Sequence, residues 1–162
     1  MLGLRRERPR RLSDPLGPAL PRAEHSTVVR RPPSDVFAFL ANAENDPQWR
    51  PGVMDISRVS GEGVGARYKQ GLKGPMGRRI AADIEITELR PDELIVFKAV
   101  EGPVRPSGRY ELAPADGGTR VRFVLEAEVG GIKKLLSPMV QKQMDREVAN
   151  LERLKQVLES GG

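Results

Sequence analysis

The segment from residue 132 to the end of the chain constrains the fold most. Ile132, Leu135, Leu136, Met139, Val140, Met144, Val148, Leu151, Leu154 and Leu158 recur at helical spacing. A helix of that length carries one apolar stripe and needs a matching apolar surface to cover it. The roughly one hundred residues before it supply that surface, because they read as short alternating strands separated by Gly, Pro and Asp turns. The expected class is α+β, a curved antiparallel sheet of seven strands wrapped around one long C-terminal helix, with two short helices between the first and second strands. Pro138 stands about a turn inside the helix, or at its first position if Ser137 is the N-cap, and predicts a kink or a restart there.

Between Glu24 and Arg31 the residues Thr27, Val28 and Val29 mark a first strand, stopped by Pro32-Pro33. Ser34 is the expected N-cap of a helix with Asp35 in its first turn and Val36, Phe37, Phe39 and Leu40 on one face. Asn42 to Trp49 reads as a second short helix or helical turn, ended near Pro51-Gly52. Strands follow at 53–60, 65–73, 78–90, 93–101, 107–114 and 118–130, divided by turns such as Gly61-Glu62-Gly63, Gly74-Pro75 and Asp116-Gly117-Gly118. In the last strand Val121, Phe123, Leu125, Ala127 and Val129 share one face, and Arg120, Arg122, Glu126 and Glu128 the other. Ile80, Ala82, Ile84 and Ile86 alternate in the same way with Arg79, Asp83, Glu85 and Thr87, so one face of the sheet is solvated.

The charge is unevenly placed. Residues 1–22 hold six arginines against Glu7 and Asp14, so of the net +5 only about +1 belongs to the remaining 140 residues. That leader also contains Pro9, Pro15, Pro18 and Pro21 and is expected to be disordered, with one domain over 23–160. No run approaches the roughly 18 apolar residues of a membrane span, so a soluble, cytoplasmic protein without stable membrane insertion is expected. The absence of cysteine removes disulfides, thiolate metal sites and cysteine nucleophiles, and the single histidine, His25, limits imidazole chemistry to the start of the domain. No metal and no cofactor are expected.

Other features read as structure. Gly61, Gly63 and Gly65 precede a strand rather than a helix, so they form a hairpin turn and not a phosphate cradle. The carboxylate pairs Asp83/Glu85 and Glu126/Glu128 lie on the solvated face and are not assigned to catalysis. Lys133, Lys134, Lys142, Arg146, Arg153 and Lys155, interleaved with Asp145, Glu147, Glu152 and Glu159, read as an ordinary helix exterior. Without clustered aromatics to stack bases, nucleic acid is excluded as a partner. Trp49 is expected to close a helix end, and His25 to lie at an edge or in solvent.

Several local patterns resemble one superfamily. Val29-Arg30-Arg31-Pro32-Pro33-Ser34-Asp35-Val36-Phe37 is similar to the opening signature of the START/polyketide cyclase-dehydrase (SRPBCC) superfamily. Gln48-Trp49-Arg50-Pro51-Gly52-Val53 resembles its aromatic-Pro entry to the second strand, Gly118-Thr119-Arg120-Val121 the turn into its last strand, and Leu151-Glu152-Arg153-Leu154-Lys155 its closing helix. The resemblance spans about residues 24–160 and implies the helix-grip fold. It also implies an apolar cavity between sheet and helix that takes lipids, polyketides or other hydrophobic molecules.

By strand parity Tyr68, Gln70, Leu72, Phe97, Tyr110 and Phe123 face the same concavity, opposed by Met139 and Met144 from the helix. These eight residues are the expected ligand-binding set. Tyr68, Gln70 and Tyr110 offer polar contacts in an otherwise apolar site. The leading function is binding or carriage of a small hydrophobic ligand, lipid or polyketide-like, by a monomer or weak dimer. A cyclase/dehydrase-type enzyme is the alternative, in which Tyr68 or Tyr110 with Arg109 or His25 acts on an enolising chain, and no catalytic set is assigned. A protein-interaction module is a third reading. The mouth of the site is expected near the 71–77 turn and the start of the long helix.

Overall fold

A computed structural model of the chain describes residues 21–102, 104–128 and 137–161. Residues 1–20 of the leader expected over 1–22, the break at Gly130-Gly131 and the stripe residues Ile132, Leu135 and Leu136 lie outside these residues.

Strand β1 (Arg22–Val29) ends at Pro32-Pro33 and leads into α1 (Pro33–Ala41). Pro32, not Ser34, occupies the N-cap of α1, and no side chain caps it. Pro33 at the first helical position has no N–H to satisfy and its fixed φ suits a helix, so the proline pair starts the helix two residues earlier than a cap at Ser34 would. A 3-10 helix (Ala43–Gln48) follows, its first turn held by the Asn42 side chain, which accepts from the Glu44 N–H.

Eight strands build one antiparallel sheet, with β2 (Val53–Ser60), β3 (Arg67–Lys73), β4 (Arg79–Ala81), β5 (Ile84–Arg90), β6 (Leu94–Ala99), β7 (Arg105–Ala115) and β8 (Gly118–Glu128) following β1. Their spatial order is β1-β8-β7-β6-β5-β3-β2, and β4 pairs with β3. The stretch expected as one strand over 78–90 is therefore two, both lying along β3. The break falls at Ala82-Asp83 because those residues turn their polar groups to Gln70. Ala82 N–H donates to the Gln70 carbonyl at 2.8 Å, the Gln70 amide donates to the Ala82 carbonyl at 3.0 Å, and Gln70 N–H donates to Asp83 Oδ1 at 3.1 Å.

The C-terminal helix runs as α2 (Ser137–Ala149) and α3 (Leu151–Ser160), packed along β1 and, for α2, β8. Its bend is at Asn150, whose N–H bonds to the Glu147 carbonyl three residues back, a tighter step than the helical one. Pro138 stands in the first turn of α2. The stripe faces inward through Met144, Val148, Leu151, Leu154 and Leu158, all buried, whereas Met139 is 65% exposed.

The inner sheet face is buried as the alternation requires, through Val121, Phe123, Leu125 and Ala127 on β8 and Ile84 and Ile86 on β5. Val124 has the opposite parity and is nonetheless 1% exposed. It lies directly opposite Glu24 on β1 and Arg109 on β7, with Arg122 and Glu126 two residues to either side. These residues, with Arg22 and Glu111, form a ladder of ion pairs on the outer face, and their aliphatic stems cover it.

Candidate functional site

The 3-10 helix ends at Gln48, and Trp49 and Arg50 turn into the interior. Both of their backbone N–H groups bond to the Asp46 carbonyl, at 3.1 and 2.8 Å. This turn brings the Asp46 and Arg50 side chains together, and Arg50 Nη1 donates to Asp46 Oδ2 at 2.8 Å. The same nitrogen donates to Gln70 Oε1 at 3.2 Å, and Arg50 Nε donates to Glu147 Oε1 of α2. Asp46, Arg50 and Gln70 are all buried. A guanidinium thus joins the 3-10 helix, the middle of β3 and the C-terminal helix.

The burial of this cluster sets its electrostatics. Burial pushes the Asp46 carboxyl up to about 6, against the opposite pull of Arg50 and with help from the nearby Glu147 charge. Burial works against the charged Arg50 as well, but the Glu147 and Asp46 carboxylates outweigh it and hold the guanidinium above its usual value. Two carboxylates share one cation away from water, which is why Asp46 keeps its proton more readily than an exposed carboxyl would.

An aromatic wall adjoins the cluster. Trp49 is 1% exposed and meets Tyr110 and Phe123 edge to face, each with ring centroids 6.0 Å apart. Tyr110 and Phe123 are 4.6 Å apart, and Phe97 lies 5.7 Å from Tyr110. Gly108 makes room for that arrangement, since a Cβ there would stand 2.3 Å from the Phe97 ring and 2.8 Å from Leu125. The Tyr110 hydroxyl is raised well above its ordinary pKa, first by burial and then by the Asp46 and Glu147 charges, with Arg50 opposing. Tyr110 therefore faces both the aromatic wall and the charged cluster. The Trp49 indole nitrogen is buried without a hydrogen-bond partner, although it lies near enough to Asp46 to favour that group's ionised form. It is the one such side-chain atom among the described residues.

Of the eight residues expected from parity, Tyr68, Gln70, Tyr110, Phe123 and Met144 are buried in the interior, and Phe97 and Leu72 are half-buried. Tyr68 is raised by burial, with the Ala43 backbone opposing. Met139 is not among them; α2 turns it outward. Arg109 lies on the outer face with Glu111 and Glu126, away from Tyr110, and His25, opposite Phe123 on β8, bonds through Nε2 to Glu152 at 2.9 Å. Sequence reasoning missed Asp46, Arg50 and Glu147. Asp46 and Arg50 carried a signal in their spacing of four, the distance at which one helical turn pairs side chains. Glu147, assigned above to the helix exterior, sits three residues after Met144 and four before Leu151, which places it on the buried stripe.

Among the described residues no group of His, Asp and Glu is placed to hold a metal ion. None of their helices is long and apolar enough to cross a membrane.

Comparison with known proteins agrees with this fold. The family model described as polyketide cyclase / dehydrase and lipid transport matches residues 21–159. Among solved structures, a protein from Thermus thermophilus superposes with a TM-score of 0.75 at 23% identity, covering 88% of this chain and 99% of that one. A START superfamily protein from Mycobacterium smegmatis gives 0.70 at 16% identity, covering 87% and 99%. The di-domain ARO/CYC StfQ from the steffimycin biosynthetic pathway gives 0.69 at 15% identity, covering 88% of this chain and 52% of that one. No curated protein matches the chain. At these identities the structural likeness speaks for the fold, and the family match covers nearly the whole domain. By its sequence match over nearly the whole domain, the chain belongs to the polyketide cyclase / dehydrase and lipid transport family.

Proposed function

We propose that this protein binds a small hydrophobic molecule between the inner sheet face and the C-terminal helix, with the polar end of the ligand at Trp49 and Tyr110. The observation that carries this reading is the unpartnered Trp49 N–H, buried where the aromatic wall meets the charged cluster. A buried donor without a direct hydrogen bond costs up to about 1–3 kcal/mol; the nearby Asp46 carboxylate offsets part of that, and a ligand oxygen would recover the rest. Apolar burial against Phe97, Tyr110 and Phe123 would supply affinity at roughly 25 cal/mol per Å². The family description, which includes lipid transport, supports the same reading.

Trp49 is the only tryptophan, so its emission reports directly on the site. Titration with a panel of lipids and polycyclic phenols is expected to shift or quench that emission saturably. A panel that leaves the emission unchanged contradicts the proposal.

A cyclase/dehydrase activity is favoured by one feature, the Asp46 carboxyl at about 6 beside Tyr110. A group of that acidity inside an apolar site can take a proton from an enolisable carbon near neutral pH. Loss of one water from a bound β-hydroxy ketone, followed by mass spectrometry, distinguishes turnover from carriage.

A further inference from the structure

We infer that the interior selects a ligand whose polar end is uncharged and able both to donate and to accept a hydrogen bond, an alcohol or a phenol, and rejects the matching carboxylate. This rests on the binding reading above and names the class of ligand for the same site.

Asp46 and Glu147 bring two negative charges to the cluster and Arg50 one positive, so the ionised set has a net charge of −1. Among the described residues Arg50 is the one buried cation. Its Nε and Nη1 atoms are committed to Glu147, Asp46 and Gln70, so an incoming anion finds the guanidinium already neutralised. A ligand carboxylate placed at Trp49 would lie beside Asp46, add a further negative charge to a cluster whose net charge is already −1, and stay unpaired, which is the kind of buried charge that proteins avoid.

Hydrogen bonding narrows the class further. The Trp49 N–H makes no direct hydrogen bond, and the Asp46 carboxylate close to it is an acceptor with room for a donor. A hydroxyl satisfies both, accepting from Trp49 and donating toward Asp46, with the Tyr110 hydroxyl close to the same cluster. An ether or ester oxygen would meet only the first requirement.

The test is isothermal titration calorimetry on the full chain at about pH 8 with two matched pairs, 2-naphthol against 2-naphthoate and dodecan-1-ol against dodecanoate. Each pair holds the apolar body fixed and changes the head. The neutral member of a pair is expected to bind about tenfold tighter or more, the penalty for one unpaired charge a few ångströms from a net negative cluster. Carboxylates that bind as tightly as their alcohols overturn the inference and leave the binding reading standing. If no member of either pair binds, both fail. Asp46→Asn and Glu147→Gln each remove one negative charge and are expected to shrink the ratio. A folded variant with the ratio unchanged contradicts the electrostatic basis, and the wild-type ratio decides the matter if neither variant folds.

Discussion

Arg50 is the side chain whose loss leaves the most unbalanced. Without it Asp46 and Glu147 remain in the interior with no counter-charge, and Gln70 loses its donor. Arg50→Met is expected to cost on the order of 3–5 kcal/mol, measured by chemical denaturation. Asp46 leaves a signature in pH. Its carboxyl titrates near 6 in the folded chain, against 3.8 for an unperturbed side chain. Between those values the native state holds a proton that the unfolded chain has released, so stability is full below about 3.8 and declines as pH rises through 6. The decline is on the order of 3 kcal/mol. Glu111, Glu152 and Asp55 are held low by Arg109 and Arg122, His25, and Arg79 respectively, and contribute the opposite slope. The difference between wild type and Asp46→Asn therefore isolates the Asp46 contribution, and the variant is expected to lack the decline between about 4 and 6. At this scale the sequence was partly legible. Strand parity placed Tyr68, Gln70, Tyr110 and Phe123 inside, but Glu147 was read as helix exterior and Asp46 and Arg50 were not singled out. Burial of a charge depends on partners far along the chain, and Glu147 lies 97 residues from Arg50.

The elements hold the site through two contacts that substitution can separate. In the C-terminal helix Leu154 is fully buried and Met139 is 65% exposed, although both belong to one helical stripe in the sequence. Leu154→Ala is expected to cost about 2–5 kcal/mol. Met139→Ala is expected to stay within about 0.5 kcal/mol, and thermal unfolding of the two variants side by side checks the contrast. In β7, Gly108→Ala would press a methyl group into the Phe97 ring and Leu125, so about 1–3 kcal/mol of overpacking is expected together with a change in Trp49 emission as the wall shifts. Periodicity revealed the helix and nearly every strand because those signals are local. It did not reveal the bend at Asn150 or the division of β4 from β5. The first is one tight backbone step, and the second is imposed by Gln70 from a neighbouring strand.

At the scale of the whole molecule, a sheet with one apolar face and a helix with one apolar stripe leave few ways to cover both, which is why the architecture could be read before the structure. The order of strands follows from short hairpins, each strand pairing with the next from β5 to β8 and β1 returning beside β8. What the molecule encloses depends on the joint placement of residues 46, 49, 50, 70, 110 and 147, and no local pattern carries that information. Native mass spectrometry of the protein purified from its own host, followed by denaturing extraction, tests most directly whether the interior beside Trp49 takes up a small apolar guest. The expected result is a mass increment of one small molecule per chain, released on denaturation and carrying a neutral hydroxyl-type head. A chain at its bare mass that also takes up nothing from the lipid and phenol panel would contradict it.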